Sequence, residues 1–369
     1  TSGIDGDQSN NNATSSGAVY VFIRDSNANW SQQAYVKASN TDAHDQFGDS
    51  VALSADGNTL AVGATGEDSE ANGINGNQTN GDMSSGSSAG ITSGAVYIFT
   101  RSSAIWSQQA YVKASNADED DTFGSSLSLS ADGGTLAVGA RAEASNAIGI
   151  NANQTNNSSA YSGAVYVFTR DSDWSQQAYV KASNSDEGDL FGESLALSSD
   201  GDTLAVGAKT ENGNATGING SQTDKSPYVV GAVYVFTRDS NTWSQQAYVK
   251  ASNTEVGDSF GTSLALSSDG DTLVVGAQGE KSNVTGLGGD QADNSLTNSG
   301  AVYVYRRNFL SWSQQAYVKA SNTGKDDSFG AAIDISGDGK TLAVGAPFED
   351  GSGTGSFIVP SDSGAVYLY

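Results

Sequence analysis

Trp30-Ser31-Gln32-Gln33-Ala34-Tyr35-Val36-Lys37-Ala38-Ser39-Asn40 recurs without a single change from Trp106, Trp174, Trp243 and Trp312, at steps of 76, 68, 69 and 69 residues. Self-similarity at a near-constant period is the mark of a repeat architecture, and the other segments can be phased to it. Read as a strand, the stretch places Trp30, Gln32, Ala34, Val36 and Ala38 on one face. Ser31, Gln33, Tyr35, Lys37 and Ser39 fall on the other. A mainly apolar face opposite a polar one suits the outer strand of a small sheet.

Working outward, Gly17-Ala18-Val19-Tyr20-Val21-Phe22 precedes the stretch and returns at Gly94, Gly163, Gly231, Gly300 and Gly364. Its β-branched and aromatic content predicts a buried strand. Downstream lies Phe47-Gly48, with copies at Phe123, Phe191, Phe260 and Phe329. In the clearest copy, Phe191, Leu195 and Leu197 share a face opposite Gly192, Ser194, Ala196 and Ser198. Small residues there let neighbouring sheets approach closely. Asp56-Gly57 and its equivalents at Asp132, Asp200, Asp269 and Asp338 join this strand to Thr59-Leu60-Ala61-Val62-Gly63-Ala64 and its copies. Asp-Gly between two strand-like runs is a hairpin signal. After each Val-Gly-Ala comes a polar loop rich in Asn, Gly, Ser and Thr; loops this long are usually functional or mobile.

Four strands per period, repeated with small residues innermost, predict an all-β fold, a five-bladed β-propeller with four antiparallel strands per blade. Residues 1–369 form one domain on this reading, opening with a polar loop over 1–16. The last Phe-Gly strand has no tryptophan strand after it, and the first tryptophan strand has no Phe-Gly strand before it. The ring is therefore expected to close with the N-terminal outer strand completing the last blade, which removes open sheet edges. Six Gly-Ala-Val-Tyr copies serve five places, so one is surplus, at 17–22 or 364–369. It marks either a piece cut from a longer array or a strand that adds to a neighbouring molecule, linking copies into a homo-polymer.

The chain has 42 acidic and 17 basic residues and a formal net charge of −25. Nothing offers the basic stripe that nucleic acid requires, and docking on anionic lipid is disfavoured. No apolar run approaches a membrane span of roughly 20 residues, so membrane insertion is not expected. With no cysteine, neither disulfides nor thiolate metal sites can form. The polar start at Thr1, without Met or signal segment, suggests a processed or excised piece.

Phe-Gly-x-Ser-Leu-Ala-Leu-Ser, then Thr-Leu-Ala-Val-Gly-Ala, then Gly-Ala-Val-Tyr-Val-Phe resembles the FG-GAP repeat, the blade unit of integrin α-subunit propellers and many bacterial surface proteins. Only the last repeat has the full Val344-Gly345-Ala346-Pro347; Thr65, Arg141, Lys209 and Gln278 replace the proline elsewhere. The resemblance implies a propeller and, in many members, a calcium loop between the first two strands. Here Ser54-Ala55-Asp56-Gly57-Asn58-Thr59 is too short and has one carboxylate, so these aspartates are expected to form turns.

Two carboxylate series recur. Asp45, Asp121, Asp189, Asp258 and Asp327 lie two residues before each Phe-Gly, as loop caps or as a ring of ligand-binding acids. Glu67, Glu143, Glu211, Glu280 and Glu349 lie three residues after each Val-Gly-Ala, as loop anchors or as calcium ligands completed by loop oxygens. Glycosylation acceptors of the Asn-x-Ser/Thr type occur at Asn12, Asn29, Asn77, Asn153, Asn156, Asn157, Asn214 and Asn283. His44, the one histidine, has no repeat equivalent and no evident partner for general-base work. A glycosidase-type carboxylate pair is a remote alternative. The expectation is a non-enzymatic, extracellular or cell-surface propeller serving adhesion or building a surface structure, with surface proteins or glycans as partners. The alternative is a multivalent carbohydrate- or calcium-dependent binding module.

Overall fold

The structure, a computed structural model, describes residues 2–79, 92–223, 225, 228–350 and 363–369. The chain is all-β, a five-bladed β-propeller with four antiparallel strands per complete blade and no helix among the described residues. By compactness it parts into two units. One is Thr1–Ala147 with Asn151–Val180, and the other is Ile148–Ile150 with Lys181–Tyr369.

The first unit opens with a hairpin of β1 (Val19–Arg24) and β2 (Trp30–Val36). A complete blade follows: β3 (Phe47–Leu53), β4 (Thr59–Ala64), β5 (Ala95–Ser102) and β6 (Ile105–Val112). The next is β7 (Phe123–Leu129), β8 (Thr135–Ala140), β9 (Ala164–Arg170) and β10 (Trp174–Val180). The second unit holds the blade β11 (Ser194–Leu197), β12 (Thr203–Ala208), β13 (Ala232–Asp239) and β14 (Thr242–Val249), then β15 (Phe260–Leu266), β16 (Thr272–Ala277), β17 (Ala301–Asn308) and β18 (Ser311–Val318). It ends in a three-stranded sheet of β19 (Ala332–Ile335), β20 (Leu342–Ala346) and β21 (Ala365–Leu368). Strands follow chain order within every sheet; in the complete blades the first and last connections are short hairpin turns, and the middle one is the long polar loop.

The Asp-Gly turns form as expected. Asp56 Oδ1 accepts from Ser54 Oγ at 2.6 Å and from the Asn58 N–H at 2.9 Å, and Gly57 takes φ +67°. These bonds, the Ser54 hydroxyl first, hold the Asp56 carboxyl down to about 2.

Blades pack face to face within each unit. Phe47, Leu60, Val62, Tyr97, Phe99, Trp106 and Tyr111 of the first complete blade form one cluster with Ala34, Val36 and Ala38 of the preceding hairpin segment. The other face of that blade, Ala61, Val96, Ile98, Ala110 and Val112, clusters with Phe123, Leu136, Tyr166, Phe168 and Trp174 of the next. Phe47 meets Tyr97 edge-on at 5.4 Å between centroids, a geometry aromatic quadrupoles favour. The inner strands approach closely, as the small residues predict. Ser50 Oγ donates to the Gly124 carbonyl at 2.6 Å, and a Cβ on Gly63 would lie 2.2 Å from the same oxygen.

Two expectations are corrected. The tryptophan strand does not keep period 2 from end to end. In β6, Gln108 faces Phe99 and Ala110 faces Ile98, leaving Gln109 as an extra residue in a bulge. The same irregularity occurs in β2, β10, β14 and β18. A bulge inserts one residue and turns the remainder of the strand over. Trp106 therefore shares its face with Tyr111, while Ala110 and Val112 face the other way. The second correction concerns the chain ends. The N-terminal tryptophan strand is not paired to the last sheet: β2 is bonded to β1, and the last sheet has three strands. β1 lies immediately upstream, so this pairing closes only a short loop and little chain entropy opposes it. Both end copies of the Gly-Ala-Val-Tyr strand are paired, β1 with β2 and β21 with β20.

Candidate functional site

The bulge decides where the polar side chains of the invariant stretch go. Beyond it, Tyr and Lys turn inward beside the Glu that follows Val-Gly-Ala. Lys113 Nζ lies 2.7 Å from Glu67 Oε2, with both side chains at most 1% exposed. Lys250 meets Glu211 and Lys319 meets Glu280 at the same 2.7 Å. A buried ion pair is tolerable only when its remaining lone pairs and protons are satisfied. Here they are. Asn253 Nδ2 donates to Glu280 Oε1 at 3.2 Å, Tyr317 O–H donates to it at 2.8 Å, and Lys319 also donates to Ser299 Oγ at 2.7 Å. Tyr303 O–H closes the network on Asn253 Oδ1 at 2.5 Å. Glu143 accepts from Asn116 and Tyr179 at 3.0 and 2.9 Å, and Glu211 accepts from Asn184 and Tyr248 at 2.8 and 3.1 Å. Burial alone would raise the Glu211 carboxyl, yet the Lys250 and Lys225 ammonium groups hold it below its ordinary value. Glu349 accepts from Asn322 at 2.6 Å.

These carboxylates do not fit calcium. An ammonium or amide already occupies the positions a cation needs, and no group of three or more His, Cys, Asp or Glu side chains among the described residues could hold a metal ion.

The Asp series caps loops. Asp45, Asp121, Asp189, Asp258 and Asp327 each accept the backbone N–H three residues earlier, at 2.6, 3.0, 2.8, 2.9 and 2.7 Å. The cap holds the next residue in the left-handed region at φ +55° to +57°: Gln46, Thr122, Leu190, Ser259 and Ser328. That conformation is rare for a residue such as Leu190 and needs its surroundings to impose it. All five aspartates are at most 3% exposed. Burial pushes Asp45 and Asp189 up to about 7, and Asp258 to about 6 against the pull of Lys281. His44 is exposed, with its N–H on the Thr14 carbonyl.

The second Gln of the stretch is the residue the bulge throws out. Gln33 Oε1 accepts from Trp106 Nε1 at 3.0 Å and from Arg101 at 2.9 Å, both in the next blade. Gln109 does the same for Trp174 and Arg170, and Gln246 for Trp312 at 2.8 Å. Each arginine lies over its tryptophan ring, 5.4 Å from the centroid for Arg101 and Trp106. A repeated outward surface of Gln33, Tyr35 and Lys37, read from strict alternation, is therefore not present: the Tyr and Lys copies at 111, 113, 248 and 250 are fully buried. The signal for this network was the identity of Tyr, Lys and Asn in every copy, which a merely solvated face would not require.

The long loops are strapped at their bases. Asn75 N–H donates to the Tyr111 carbonyl at 2.7 Å while its Oδ1 accepts the Tyr111 N–H, and Asn219 does the same with Tyr248. Ser252 Oγ is bonded to Gln291 Oε1, with Ser39 to Gln78 and Ser115 to Gln154 equivalent. Beyond these ties the tips are exposed. Asn12, Asn29, Asn77, Asn153, Asn157, Asn214 and Asn283 face solvent, and Asn156 is half-buried. A shallow polar cleft of about 540 Å³ lies among Ser252, Asn253, Thr254, Glu255, Asp290 and Gln291.

A family profile described as FG-GAP repeat matches residues 30–99, 106–168, 174–236, 243–305 and 312–369. No curated protein matches the sequence. Among solved structures, the chain is similar to a protein from Bacteroides uniformis provisionally described as a 6-phosphogluconolactonase. The identity is 10%, with 94% of this chain and 77% of that chain covered at a TM-score of 0.46. It is also similar to the periplasmic gluconolactonase of Pseudomonas aeruginosa at 17% identity, covering 88% and 70% at a TM-score of 0.43. The expectation that the chain is not an enzyme is corrected here: both of these similar structures carry lactonase names, so that expectation is withdrawn. At these identities and scores the likeness assigns no reaction to this chain.

Proposed function

The chain belongs to the FG-GAP repeat family, and from that premise we propose that it is an extracellular display scaffold. In this reading its loops attach it to surface proteins or glycans. One observation carries the proposal: the Tyr, Lys and Asn side chains identical in every repeat are engaged within the protein, while exposed loop residues such as Tyr161, Val229 and Asn298, at equivalent positions, differ from repeat to repeat. A rigid base with variable exposed tips is how binding loops are usually presented. Replacing Tyr161 and Val229, exposed loop residues whose equivalents differ from repeat to repeat and whose side chains make none of the basal ties, with Ser tests this. Binding of the purified chain to cell surfaces should fall about tenfold or more, the weight of one lost contact cluster, with the melting transition retained. Undiminished binding by that variant, and by matching variants of the other loops, would defeat the proposal.

A second reading, a glycan-binding module, is favoured by the polar cleft at Ser252, Asn253, Asp290 and Gln291. Polar side chains converging on a shallow cleft suit hydroxyl-rich ligands. Glycan-array binding that disappears in Asp290→Ala would support it; an array blank for the wild-type chain would remove it.

A further inference from the structure

Inside each unit the junction between consecutive repeats has a fixed chemistry. A tryptophan N–H meets the bulged Gln of the preceding repeat, and a Lys of the tryptophan strand meets the Glu of the same blade. Four side chains lack these partners, and they are complementary in pairs. Trp30 is 67% exposed, whereas Trp106, Trp174, Trp243 and Trp312 are 5–7% exposed. Among the described residues Gln315, the bulged Gln of β18, bonds to Ser313 of its own strand alone, at 2.8 Å to the hydroxyl. It lines an open cleft of about 480 Å³ with Arg307, Phe309 and Ser313, whereas Gln33, Gln109 and Gln246 each receive the indole of the next repeat. Lys37 is buried and bonds to Ser16 Oγ and the Gly17 carbonyl; Asp45 acts on it only at longer range, and no carboxylate among the described residues forms an ion pair with it. Glu349, 7% exposed, accepts from Asn322 and pairs with no lysine among the described residues. The last sheet also has β21 at its edge, bonded on one side to β20, in the place where every complete blade carries a tryptophan strand.

We propose that this edge is an interaction surface for a second copy of the chain. β2 of one copy becomes the fourth strand of the last sheet of another, seating Trp30 against Gln315 and Lys37 against Glu349. β2 is bonded to β1 and Trp30 is exposed, and the Trp and Lys that β2 carries are the complements of Gln315 and Glu349, which makes a second copy the occupant. The exchange is neutral in pairing. β1 and β21 share the Ala-Val-Tyr sequence, so β21 offers β2 the register that β1 now supplies, Val19 to Val36 and Tyr20 to Tyr35. What drives it is burial of the indole and direct pairing of a buried ammonium, which Asp45 reaches only at longer range, with the Glu349 carboxylate. Unpaired edges are templates for such strand addition, and a head-to-tail contact of this kind propagates into rings or fibres.

Sedimentation of the 369-residue chain over a concentration series, read with acrylamide quenching of Trp30, tests the proposal. The Trp30 signal is taken as the difference between wild type and Trp30→Phe. The wild-type chain is expected to self-associate, with Trp30 becoming shielded in step. Trp30→Ala should weaken association about thirtyfold or more, the weight of a central aromatic contact. Lys37→Glu and Glu349→Lys should each abolish association, and the double swap should restore it. Three results would overturn the proposal: a monomer at every concentration, a monomer with Trp30 shielded, which means closure within one chain, or association indifferent to these substitutions. Should Lys37→Glu fail to fold, Trp30→Ala, at an exposed position, decides the matter alone.

Discussion

At the residue scale, the buried Lys–Glu pairs give the Tyr, Lys and Asn shared by all five copies of the tryptophan stretch a common structural role. Lys319, Tyr317 and Asn253 all converge on Glu280, so a substitution at any of them strands a buried polar group. Lys319→Met should cost about 3–5 kcal/mol, because it leaves Glu280 charged and buried. Adding Glu280→Gln should recover part of the loss; urea transitions of the single and double variants measure both. The aspartate caps make the opposite electrostatic statement. Burial raises the Asp189 carboxyl to about 7 in the folded chain, above its unfolded value, so the stability it contributes is present at acid pH and lost as pH rises through 7. Asp189→Asn removes that dependence. Relative to wild type, the variant should gain on the order of 3–4 kcal/mol between pH 4 and pH 8, read from melting curves at each pH. Both series were visible as recurring letters. Their partners were not, because Lys319 and Glu280 lie far apart in sequence and only the sheet brings them together.

At the element scale, the period-2 pattern located the strands, since alternation and Asp-Gly turns are local properties. It failed inside the tryptophan strand, where the bulge at the second Gln reverses the faces of everything after it. Nothing in a single strand announces a bulge: it is stabilised by what the bulged side chain does next, here Gln109 Oε1 accepting the indole N–H of Trp174 in the following blade. The central strands carry a second interblade constraint. A Cβ on Gly276 would lie 2.1 Å from the Gly330 carbonyl oxygen and 2.3 Å from Ser263 Oγ. Backbone cannot give way as a side-chain tip can, so Gly276→Ala should destabilise by about 2–3 kcal/mol through overpacking. Chemical denaturation checks this. An unchanged midpoint would mean that the blades can separate at that level without loss.

At the scale of the whole molecule, the net charge of −25 is carried mostly by exposed loops and turns. Self-repulsion of that size opposes compactness and is screened by salt. Raising NaCl from about 10 mM to 150 mM, over which the Debye length shrinks from about 30 to 8 Å, should raise the melting temperature. Adding a chelator at fixed ionic strength should not change it, because the recurrent glutamates are engaged with ammonium and amide groups. The five-bladed, four-stranded plan was readable in the letters alone: residue alternation, turn chemistry and repeat spacing are written along the chain and need no distant partner. The fates of Lys37, Trp30 and Glu349, and the choice of β1 over the last sheet as the neighbour of β2, could not be read that way. β1 and β21 carry nearly the same sequence, so pattern cannot choose between them. Folding chooses by proximity and loop entropy, which exist only once the strands have positions in space.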